Sequence, residues 1–118
     1  MSIARDISDA GHQLVAWIKF DGSASIPSSG TSTVGILASF NISSLNEIST
    51  GRYEITMTNS VADHHMCVVA SASAGTGNTD AATFVHDSSN QKFTVYTYTS
   101  DSGNLSGSYT QISAVAYR

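Results

Sequence analysis

From Arg52 to Thr58 the chain reads RYEITMT, with an apolar side chain at every second residue. Tyr53, Ile55 and Met57 alternate with Arg52, Glu54, Thr56 and Thr58. A period of two puts these sets on opposite faces of an extended strand, whereas a helix would scatter them around its surface. The same spacing, carried by β-branched and aromatic residues, returns in HQLVAWIKF, VGILASFNIS, MCVVASAS, AATFVHD, KFTVYTYTS and YTQISAVAYR. Ser, Gly, Asn and Asp cluster between these runs, in DGSASIPSSGTST, SLNEISTG, AGTGNTD (74–80), SSNQ and DSGNLSGS. Such clusters read as turns and loops. No segment has helical spacing. The expected fold is all-β, an antiparallel β-sandwich of about seven to eight strands.

Length and charge narrow the classes of function. A chain of 118 residues makes one domain, read as a polar N-terminal docking arm over 1–12 and a sandwich over 13–118. Charged residues are only 12% of the chain, about half the usual share, and Ser and Thr take their place. The net charge of −4, with two Lys and three Arg, leaves no basic patch for nucleic acid. No apolar run is long enough to span a membrane. The opening MSIARDISDAG lacks a signal peptide's apolar region, which points to synthesis in a cytosol without general secretion. Few Lys or Glu guard the strand edges, which suits an obligate assembly.

Several side chains invite a role. In AWIKFDG, alternation sets Leu14, Ala16, Ile18 and Phe20 against Val15, Trp17 and Lys19. The second set is mixed, so Trp17 belongs either to the core or to a second face at a subunit contact, where tryptophan is enriched. On the latter reading Val15, Trp17 and Lys19 form a subunit interface. Phe20, Phe40 and Tyr53 are candidates for the core between two sheets. Gly22 and Gly51 suit turns that need positive φ. Asn41, Ser43 and Ser44 can end a strand by bonding local backbone. The lone Cys67, flanked by apolar residues, reads as a small buried thiol.

Catalytic chemistry finds little support. His64 and His65 are adjacent, so a strand would turn them to opposite faces. Only one His per chain meeting on a three-fold axis would suit a metal, and none is assigned. AGTGNTD lacks the Lys and the helix of a phosphate-binding loop. Glu47, on a turn, and Glu54, on a strand, are not forced into an acid pair. The chain reads as no enzyme, with no cofactor.

Three segments in order, AWIKFDG (16–22), ILASFNISSL (36–45) and STGRYEITMT (49–58), together with the closing ISAVAYR, resemble a known family. It is the small β-sandwich at the ends of tail-fibre and other virion proteins of bacteriophages, common among phages of cyanobacteria and marine bacteria. The resemblance spans about Leu14 to Arg118. Lys19, Leu37 and Met57 stand where that family usually has Asn, Arg and Phe. It implies a non-enzymatic virion protein, trimeric, in a tail or fibre, with roles in host attachment or fibre assembly. Its partners would be other tail, fibre or capsid proteins and a host surface glycan, met by loop residues Ser23, Ser28, Ser29, Thr76, Asn78 and Asp80. The alternative is a capsid decoration, head-fibre or neck protein that stabilises the particle.

Overall fold

A computed structural model describes residues 13–60, 66–73, 79–85, 91–99, 104–106 and 109–118. Among these residues there are eight strands: β1 (Leu14–Phe20), β2 (Ile36–Phe40), β3 (Ile42–Ser49), β4 (Arg52–Met57), β5 (Cys67–Ser73), β6 (Thr79–Val85), β7 (Lys92–Thr99) and β8 (Gln111–Tyr117). They form two four-stranded sheets, ordered β2-β1-β8-β5 and β3-β4-β7-β6, and every pairing is antiparallel. The fold is all-β and has the two layers of a β-sandwich.

Alternation builds the core. Ala16, Ile18 and Phe20 of β1 and Ile112, Ala114 and Ala116 of β8 face Tyr53, Ile55 and Met57 of β4 and Phe93 and Val95 of β7. The Phe20 and Tyr53 rings meet edge to face at 4.9 Å, an arrangement that suits the aromatic quadrupole. The Tyr53 hydroxyl donates to Gly22 O at 3.1 Å, so its polar tip is satisfied.

The chain changes sheets at Asn41, the only described non-glycine residue with positive φ, at 59°. Asparagine tolerates this left-handed conformation better than most residues. Its side chain then ties remote segments: Nδ2 donates to Val15 O at 3.1 Å and Asn59 O at 3.2 Å, and Oδ1 accepts from Asn59 N at 2.8 Å. These bonds cross between segments instead of closing a local turn. Ser43 likewise donates to Thr56 O on the neighbouring strand.

Several expectations are corrected. SLNEISTG is not a turn, because most of it is β3, and the turn is confined to Thr50 and Gly51. Glu47 therefore lies on a strand. The strand was hidden by its own outer face, where Ser44 and Asn46 are polar yet covered. Phe40 is not core: it is 50% exposed, on an edge strand. Cys67 is exposed, because alternation turns Val68 inward instead. Leu14 is also exposed, and the register with β8 shifts between Leu14 and Ala16. That bulge sends Leu14 outward and leaves Val15 partly packed against the core.

The two predicted turn glycines serve different ends. Gly51 has φ 72°, as a turn demands. Gly22 has no positive φ, and the constraint there is space. A Cβ on it would stand 2.6 Å from both Ile112 Cδ1 and the Tyr53 hydroxyl, well inside contact distance.

Candidate functional site

The sandwich has two outer faces of opposite character. On the β2-β1-β8-β5 sheet, backbone register aligns Phe40 with Trp17, Trp17 with Val115, and Val115 with Val69. One row of four apolar side chains thus crosses the whole sheet. Val69 is 59% exposed, and Trp17 and Val115 are half-buried. Beside this row Tyr117, 45% exposed, stands level with Leu14 and Cys67. The next row is Ala38, Lys19, Ser113 and Ser71, so Lys19 is the single charge in these rows. A shallow groove of about 330 Å³ runs between β5 and β8, floored by Val69, Val115 and Tyr117.

Large side chains aligned across neighbouring strands shield one another, which is why Trp17 is half-buried without entering the core. The row is still a contiguous apolar surface, and such surfaces on soluble domains mark sites of contact. Trp17 and Lys19 of the predicted interface lie on this face. Val15 occupies the bulge, and Leu14 takes the outward place.

The opposite sheet carries a polar cleft. The segment from Pro27 to Ser32 runs beside β3 and pairs with its free edge, with Leu45 N donating to Ser32 O at 2.7 Å and Glu47 N to Pro27 O at 2.9 Å. This caps an edge strand that would otherwise offer unpaired backbone groups. Between the segment and the sheet lies an open cleft of about 410 Å³. Ser28, Ser29 and Thr31 form one wall. Across the floor, register sets Ser44 beside Thr56 and Lys92, and Asn46 beside Glu54. Lys92 Nζ donates to Glu54 Oε1 at 3.2 Å, so the two charges in the cleft cancel.

Of the predicted loop residues, Ser28 and Ser29 line this cleft. Ser23 does not. It belongs to a tight turn, where its N and Oγ both donate to Asp21 Oδ1, at 2.9 and 2.6 Å. Asp80 is in strand β6, level with Tyr98, and not in a loop. The strand starts two residues earlier than the Gly-rich composition suggests. Thr76, Asn78, His64 and His65, and the arm 1–12, lie outside the described residues. Asn46, Glu54, Thr56 and Lys92 come together as a group only in the folded sheet. Strand alternation alone places Glu54 and Thr56 on one outer face, but only the sheet order brings Asn46 and Lys92 beside them.

At the sandwich's edge Glu47 Oε2 accepts from Gly51 N at 3.1 Å. Burial, reinforced by the Glu47 carboxylate, pushes the Tyr53 phenol far above its usual range. Both effects disfavour the phenolate. Tyr53 is a neutral structural group.

Among the described residues, no cluster of three His, Cys, Asp or Glu is placed to hold a metal. No described helix is long and apolar enough to cross a membrane. Compared with protein-family models, curated proteins and solved structures, the chain shows no significant match to any.

Proposed function

We propose that this chain is a non-enzymatic structural protein of a bacteriophage virion, a tail or fibre component acting in host attachment or fibre assembly. The ordered segments AWIKFDG, ILASFNISSL and STGRYEITMT support the virion reading by resemblance. The observation that carries the physical side is the row Phe40–Trp17–Val115–Val69 on the outside of the sandwich. A chain that places its one tryptophan in an exposed apolar row, with few charges nearby, is suited to contact another protein surface.

The proposed working form is a homotrimer that buries this face between copies. The sheet is four strands wide at ~4.8 Å each and about seven residues long at ~3.3 Å each. That gives a footprint of roughly 400 Å² before side-chain relief is counted. Mass spectrometry of purified particles, with antibody labelling of the intact virion, tests the assignment. Label at the tail or fibres is expected. Label on the head or neck would replace the reading with particle stabilisation, and absence from particles would overturn both.

A further inference from the structure

We infer that the cleft between the Pro27–Ser32 segment and the outer face of the β3-β4-β7 sheet is a binding site for a neutral sugar unit. Its described lining residues are polar, and Ser28, Ser29, Thr31, Ser44, Asn46 and Thr56 bring hydroxyl and amide groups to it. Each hydroxyl both donates and accepts, and a side-chain amide can make up to four hydrogen bonds. Asn46 is only 4% exposed, and the bond found for its side chain among the described residues is the one from Nδ2 to Pro27 O at 3.3 Å. Its carbonyl oxygen and second amide hydrogen are thus held in place without using up the group's capacity. Ser44, 5% exposed, lies one register step away, beside Thr56.

Charge selects the ligand class. Among the described lining residues the ionic groups are Glu54 and Lys92, and they neutralise each other. An anion would have to take Lys92 from Glu54, and a cation the reverse, whereas a polyhydroxyl ligand can bond to both without separating them. A carboxylate and an ammonium fixed side by side offer an acceptor and donors to neighbouring sugar hydroxyls. Among the described lining residues no side chain is purely apolar, so nothing there selects an apolar ligand. The volume of about 410 Å³ lies within the range of small-ligand sites. Among the described lining residues there is no aromatic ring, so binding is by hydrogen bonds and weak, with dissociation constants in the millimolar range.

The site extends the attachment reading and rests on it only for avidity, since three linked copies would convert weak contacts into firm adhesion. A single chain should still bind.

The test is an amide chemical-shift titration of the isotope-labelled full chain with glucose, galactose and N-acetylglucosamine. Glucuronate and inorganic phosphate are titrated in parallel. Shifts are expected at Ser44, Asn46, Thr56 and Ser28–Thr31 with at least one neutral sugar. Thr56→Val, which keeps the side-chain shape, should weaken that binding about five-fold. Its native dispersion of amide signals shows that the fold survives. Glu54→Gln should weaken it similarly and, by freeing Lys92, let phosphate shift the cleft. No shift with any neutral sugar, phosphate binding as tight as sugar in the wild type, or unchanged affinity in Thr56→Val would each overturn the proposal. Sugar binding by a monomeric chain would keep the cleft and remove the trimer, and a trimer blind to sugars would do the reverse.

Discussion

Single residues settle how closely the two sheets approach. Gly22 touches Ile112, Tyr53 and Tyr109 where any side chain would intrude. Its own N donates to Tyr109 O at 2.9 Å, so the backbone there has little room to retreat. Gly22→Ala is expected to destabilise the fold by about 1–3 kcal/mol through overpacking, read as a lower urea midpoint with an unchanged slope. Tyr53 makes a second prediction. Its phenol titrates near pH 10 when unfolded but keeps its proton well beyond that when folded. Above pH ~10 the unfolded chain loses a proton that the native chain retains, so stability is intact below that pH and falls as pH rises past it. Tyr53→Phe should flatten this alkaline loss while costing about 1 kcal/mol at neutral pH for the missing bond to Gly22 O. Urea midpoints measured from pH 8 to 11 for both chains check the sign.

At the scale of elements, Asn41 decides where one strand becomes two. Its positive φ and its three side-chain bonds act together. Asn41→Gly keeps the backbone conformation and loses the bonds; Asn41→Ala loses both. The expected order of stability is wild type, then Gly, then Ala, with Ala about 1–2 kcal/mol below Gly in denaturant melts. The same residue shows what was legible in the sequence. Alternation in β1, β4 and β8 was plain because each has one clean inner face. The break at Asn41 was half legible: Asn41, Ser43 and Ser44 marked a strand end, but nothing in ILASFNISSL showed that a second strand starts at once at Ile42 in the other sheet. Beyond it, Ser44, Asn46 and Glu47 look like loop material. Ser44 and Asn46 sit in a strand because the Pro27–Ser32 segment covers their polar outer side, while Glu47 turns to the other face, level with Tyr53, and accepts from Gly51 N. Phe40 is the converse case, since aromatic character suggests burial while its place on an edge strand leaves it exposed. Leu14 and Val15 exchanged roles at a bulge, which periodicity cannot register. Of the candidate sites, the Trp17 face could be read from one strand. The polar cleft needed the order of three.

Across the whole molecule, the two sheets divide the work. One outer face is apolar around Trp17, and the other holds a hydroxyl-lined cleft with balanced charges. Because they lie on opposite sides of the sandwich, burying the first in an assembly leaves the second open. Substitutions on one face should therefore leave the behaviour of the other intact. The pair Trp17→Ser and Val115→Ser removes the centre of the apolar row without touching the core. It is expected to dissolve the assembly while β-sheet circular dichroism and sugar-induced shifts persist. Full independence of the two readouts is the sign that they are separate surfaces.

What most needs checking is whether greasy residues on the outside of one sheet hold sister copies together. Sedimentation equilibrium of the purified chain at micromolar concentration measures this directly. Three times the 12.4 kDa of a single chain is expected for the wild type, and the single-chain mass for the Trp17→Ser, Val115→Ser variant. A wild-type chain that sediments alone, or a variant that stays assembled, would contradict the account.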